Sequence, residues 1–372
     1  MPDRMKPSRL LLRLEAEIAS ARSRVEADCK RAERAAYLAR LGRVEEASQE
    51  LAELQRRNSQ TSHIEVSIRA NLAEGLIAYF SNVGVSTTDR VQRAYALSVA
   101  AGMNPLRALC AAWLAQWDYA RLDMSELAKH VREALKYADA QNHAARSRAC
   151  LVAAQALHLA GRLDLAKVWY ARSRVSAVEE GDDVTISALM HNMAWLRMLT
   201  MRQAVLTGEG DANVGRYALV NATSTENLDE MTGDSSWQEL KPILRAQIAS
   251  LRGDPGQALA LYERHLSAAD APSRLQANLL ADKAWCHVAL GQSGKAAESA
   301  ELALGSLIRE TQGDDRAATH SRLAQVFSAL GDTERETYHY EQAGSTWEAH
   351  VNMQATAVEL LSGLDEDGKN VL

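Results

Sequence analysis

A short turn signature that recurs five times limits what this chain can fold into. It reads Arg40-Leu41-Gly42, Leu159-Ala160-Gly161, Leu251-Arg252-Gly253, Ala289-Leu290-Gly291 and Ala329-Leu330-Gly331. Five residues after the first four glycines stands an alanine: Ala47, Ala166, Ala258 and Ala296. Seven residues before all five stands another: Ala35, Ala154, Ala246, Ala284 and Ala324. Nine residues after three of them stands a tyrosine: Tyr170, Tyr262 and Tyr340. Glycine just past a helix end supplies the left-handed cap. Small residues at fixed offsets let two helix axes approach closely, and a tyrosine a turn further on fills the space between neighbouring pairs. Each unit is therefore a helix–turn–helix that cannot bury its apolar face alone and must stack on its neighbours.

Ala73, Ala115 and Ala194 extend the series as first-helix alanines without the glycine. The anchors 35, 73, 115, 154, 194, 246, 284 and 324 then follow one another at gaps of 38, 42, 39, 40, 52, 38 and 40 residues.

The wider composition agrees. The chain has 372 residues, with only six prolines and 20 glycines. Strands want β-branched and aromatic residues bounded by turn signals, which are scarce here. At 47% hydrophobic content and a formal net charge of -6, disorder is excluded. The same acidic balance argues against direct nucleic-acid binding. In the locally basic N-terminal forty residues, acids are interleaved as on a solvated helix face. No run of about 18 apolar residues exists to span a membrane. Arg13, Glu15 and Glu17 interrupt the only segment that imitates a signal peptide. Cys29, Cys110, Cys150 and Cys286 lie far apart with no metal-site spacing, as buried thiols of a cytoplasmic protein would.

The repeated Ala, Gly, Ala and Tyr resemble the tetratricopeptide-repeat (TPR) superfamily, over about residues 28–350. The period departs from the family's usual length of about 34 residues, since these units run near 40. In that respect the chain is similar to long-repeat bacterial regulators of the Rap type. The resemblance implies an all-α fold, a right-handed α-solenoid of about eight helix–turn–helix repeats. It also implies a peptide or partner protein as ligand, held on the concave surface that the first helix of each pair lines.

Along the chain, a long capping helix is expected from Ser8, its N-cap, towards Leu41. Helices are expected at 43–57, 61–81, 88–101, 104–121, 124–140, 143–160, 162–179 and 183–206. Others are expected at 235–252, 255–269, 273–290, 294–310, 315–330 and 333–361. Asn104-Pro105 and Asp254-Pro255 are cap and first-turn signals. Pro242 marks either a helix start or a kink. The polar stretch 207–234 reads as a longer connection or as a hinge. It would separate an N-terminal lobe, 1–206, from a C-terminal lobe, 235–372, with an acidic tail. Leu10, Leu11, Leu12, Leu14 and Ile18 form an apolar stripe that either packs back on the first repeat or mediates a homodimer.

No HExxH, phosphate loop, GxGxxG or GxSxG occurs, and the ten histidines scatter. The chain is read as non-catalytic, with no cofactor and no metal. The informative positions are those that the TPR likeness places on the concave face. Directly after the anchor alanine come Glu74, Gln116, Gln155, Trp195, Gln247, Trp285 and Gln325. One turn on lies His158, one turn before lies His191, and Arg148 and Asn278 lie further back. Gln amides suit the main chain of an extended peptide, and Trp is enriched at binding hot spots. The alternative is that Gln bonds the next helix and that Trp195 and Trp285 belong to the inter-repeat core. Trp113, Trp169, Trp237 and Trp347 read as core. A peptide-carboxylate clamp is unsupported, because Asn71, Asn192 and Asn278 fall at different offsets. The reading is an intracellular scaffold or adaptor. The competing one is a sensor whose curvature changes on binding a signalling peptide or small ligand.

Overall fold

A computed structural model describes residues 8–59, 63–81, 87–208, 240–266, 273–307 and 313–364. Among these the protein is all-α, with sixteen helices and no strand. Two compact units emerge. The described residues up to Leu189 and from Ala357 onward form the first, and those from Met190 to Thr356 form the second. The division falls at Leu189, while 209–234, most of the expected hinge, lies outside the described residues.

Unit 1 opens with α1 (Arg9–Ala19) and α2 (Arg24–Arg40). The expected single helix is thus two. The break comes at Ser23, whose side chain accepts the Glu26 N–H at 3.1 Å while Glu26 Oε2 accepts the Arg22 N–H at 2.8 Å. That reciprocal cap starts a new helix. Ser8 does not cap α1 with its side chain; its hydroxyl lies 2.5 Å from the Tyr37 hydroxyl. There follow α3 (Val44–Asn58), α4 (Ile64–Phe80), α5 (Thr87–Ala100), α6 (Asn104–Ala120), α7 (Met124–Tyr137), α8 (His143–Leu159) and α9 (Leu163–Glu180). Each first helix packs on its own second helix, α2 on α3, α4 on α5, α6 on α7 and α8 on α9. First helices also touch in order, α2 with α4, α4 with α6 and α6 with α8. Such hairpins bury one another's faces in sequence.

Unit 2 takes in most of α10 (Asp183–Thr207), then α11 (Leu240–Leu251), α12 (Pro255–His265), α13 (Ser273–Ala289), α14 (Ser293–Gly305), α15 (Gly313–Leu330) and most of α16 (Thr333–Ser362). The pattern repeats, with α11 on α12, α13 on α14, and α11, α13 and α15 in contact in turn. Asp254 caps α12 as expected, accepting the Gln257 N–H at 3.0 Å with Pro255 in the first turn. Pro242 sits in the first turn of α11, where its missing N–H costs nothing.

The repeat positions carry the packing. Seven of the eight anchor alanines and all four alanines five residues past a turn glycine are fully buried, and Ala324 is nearly so. Tyr170 and Tyr262 are buried, Tyr262 against α13 of the next hairpin as expected, but Tyr340 is 75% exposed. No described helix follows α16 to cover it. The apolar stripe of α1 turns inward: Leu10, Leu11 and Leu14 are buried with Tyr37, Leu38, Leu41 and Val184 of unit 1.

Candidate functional site

The face built from the first helices was the sequence's candidate, and the two units use it differently. In unit 1 most of it is closed. Gln116 on α6, and Arg148, Gln155 and His158 on α8, are all buried. His158 Nδ1 lies 3.3 Å from the Tyr170 hydroxyl, which ties α8 to α9. The Arg148 guanidinium lies over the Trp113 ring at 4.0 Å. Arg40, at the C-terminal end of α2, reaches the same indole at 5.7 Å and donates from Nη2 to both Asp182 oxygens at 3.0 and 2.8 Å. These residues are 142 apart in sequence, so the end of α2 and the start of α10 meet within the unit. Glu74 on α4 is the exception. It is half-buried, accepting from Gln55 at 3.4 Å and pairing with Arg90 at 3.1 Å.

In unit 2 the corresponding residues form separate polar contacts between first helices. Gln247 Nε2 on α11 donates to Asn278 Oδ1 on α13 at 3.2 Å, and both residues are 1% exposed. That is the inter-helix bond the alternative reading of the glutamines anticipates. The pair leaves Gln247 Oε1 and Asn278 Nδ2 buried without a hydrogen-bond partner. Further along, Arg322 Nε on α15 donates to Asp282 Oδ1 at 2.7 Å, and its Nη1 donates to Gln325 Oε1 at 2.8 Å. Its guanidinium also lies 5.6 Å from the Trp285 ring centre. Trp195 stacks on His191 with centroids 6.4 Å apart and planes at 25°. Burial, with Lys241 nearby, pulls the His191 pKa down to about 4, so the ring is neutral at pH 7. Trp195 and Trp285 are neither sealed nor free: both are half-buried, as is Gln325. By contrast Trp113, Trp169 and Trp347 are core residues, and Trp237 lies outside the described residues.

The sequence reading missed Arg40, Asp182, Asp282 and Arg322. For the last two a signal existed: both stand two residues before an anchor alanine in successive units, with opposite charge. The first two belong to a pairing across 142 residues that no repeat offset marks.

Other chemistry is sparse among the described residues. No group of three His, Cys, Asp or Glu is placed to hold a metal ion, and no helix is long and apolar enough to cross a membrane. All four cysteines are free and buried. Burial pushes the thiols up, to about 11 for Cys29 and about 12 for the other three, which keeps them protonated and poorly nucleophilic. A recess of about 550 Å³ between α11 and α12 is lined by Arg245, Arg252, Arg264 and Gln257 around an apolar floor.

No protein-family model matches the chain, and no curated protein matches it significantly.

Proposed function

We propose that the chain is a TPR-like right-handed solenoid of about eight repeats that serves as a non-catalytic cytoplasmic scaffold or adaptor. It holds a peptide, or an extended segment of a partner protein, on the first-helix face of unit 2. One observation carries this reading: Trp195 and Trp285, at the same repeat position, both stay half-exposed while each keeps a polar partner, His191 or Arg322. An indole held in place and open to solvent offers large contact area at little entropic cost, the character of a binding hot spot. Half-exposed Gln325 extends the row on α15.

The test is selection of a displayed random-peptide library on the whole chain, followed by titration of the enriched peptides. Wild type is compared with Trp195→Ala and Trp285→Ala variants whose helicity is unchanged by circular dichroism. Affinity should drop about tenfold or more in each variant, as for a hot-spot truncation. Peptides that bind the folded variants as tightly as wild type, or no enrichment at all, would reject the assignment.

A further inference from the structure

Around Trp113 the interior of unit 1 brings together two guanidiniums and one carboxylate. Arg40 and Arg148 are 9% and 7% exposed, and both guanidiniums lie against the Trp113 ring. Asp182, 3% exposed, is the carboxylate beside them. Its oxygens already accept two bonds from Arg40 Nη2, one from the Thr185 N–H and one from the Thr185 hydroxyl. A carboxylate has about four lone-pair sites, so Asp182 has none left for Arg148. Among the described residues Arg148 has no direct hydrogen bond or ion pair and feels Asp182 only at longer range, and Arg40 Nε is a buried donor without a partner. Two turns along α8, Gln155 Oε1 is likewise unpartnered. A buried charge without a counter-ion of its own is strongly unfavourable, and an anion bound beside Arg148 would offset that cost.

We propose that this interior is a binding site for one carboxylate, with Arg148 and Arg40 as its donors and the Trp113 ring as its wall. The charge count selects the ligand. Two guanidiniums against one Asp leave a single positive charge, which a monoanion cancels and a dianion such as phosphate overfills. The planar fork of Arg148 matches a carboxylate's two oxygens. Trp113 and Tyr37 favour a carboxylate carried on an apolar body. The site is separate from the unit 2 surface and does not depend on it.

Thermal melting of the whole chain tests the assignment, with acetate, benzoate and inorganic phosphate as probes against chloride at equal ionic strength. Pools of N-acetylated tetrapeptides with free or amidated C termini separate a small acid from a peptide terminus as the source. Wild type should show a saturable rise in Tm with benzoate or with the free-terminus pool, and none with phosphate beyond chloride. Without ligand, Arg148→Met should melt above wild type, because it removes an uncompensated buried charge, and should bind the carboxylate about tenfold or more weakly. Arg148→Lys, which keeps charge but loses the fork, should also bind more weakly. No saturable response to any carboxylate, an equal response to phosphate, undiminished binding by Arg148→Met, or an Arg148→Met protein that melts below wild type would each overturn the proposal.

Discussion

Gly161 and Leu122 hold the same place in successive repeats, seven residues after Ala154 and Ala115, and both have positive φ, +78° and +58°. The left-handed cap is thus a property of the repeat and not of glycine alone. In the unit without glycine a leucine is held in that conformation by the packing around it, at a cost that glycine avoids. A Cβ added at Gly161 would meet nothing within 4 Å, so substitution there acts through the backbone only. Gly161→Ala should lower unfolding free energy by about 1 kcal/mol with no change in fold, measured by urea denaturation. A loss of several kcal/mol would mean that the turn is packed more tightly than this. At the same scale the anchor alanines are buried because any larger side chain would hold the helix axes apart, and this was legible from their spacing.

Among elements, helix existence and limits followed from periodicity and caps, with one instructive departure and one unit of unusual length. The Ser23–Glu26 reciprocal cap splits the first helix, a local signal present in the sequence that the apolar stripe masked. In the Ala194 unit, α10 runs to Thr207, in keeping with the expected 183–206, past Met201 where the glycine-bearing units turn, and stops before Gly208 at φ +79°. That extra length delivers Arg202 to α15, where Nη1 donates to Asp315 at 2.8 Å and Nη2 to Asp314 at 3.1 Å, all three residues buried. Removing the cation leaves two buried carboxylates opposed. Arg202→Met should therefore destabilise by about 3–5 kcal/mol, read from the denaturation midpoint. Adding Asp314→Asn and Asp315→Asn should recover much of that loss.

For the molecule as a whole, the buried histidines set the response to acid. Burial is the chief cause that lowers the pKa of His191, His320 and His350 to about 4, and it lowers that of His339 as well. His320 and His339 face each other through Nδ1 atoms 2.8 Å apart, so one proton serves both. Each of these groups binds its proton more readily in the unfolded chain, near pH 6.5. Unfolding therefore takes up protons, and the stability they contribute is present above about pH 6.5 and lost as pH falls towards 4. Carboxylates held low, such as Asp182, lose their contribution only below about pH 4. All four histidines lie in unit 2. Hydrogen exchange between pH 6.5 and 4.5 should show protection falling first in α10, α15 and α16. His320→Gln with His339→Gln should flatten that slope, and equal loss in α2–α8 would contradict the account.

The sequence by itself determined the helical class, the hairpin unit and the alanine contacts, because these depend on offsets of a few residues along one helix or across one turn. It also brought Gln247, Trp285 and Gln325 to one row, since residues at equal offsets in stacked repeats face the same way. It could not determine which of those positions stay open. Burial of Arg148 beside Trp113 goes with the Arg40–Asp182 contact, which joins segments 142 residues apart. Only the tertiary structure decides how closely a series of hairpins draws its own inner face together. Here it fills that face in unit 1 and leaves Trp195 and Trp285 at the surface in unit 2.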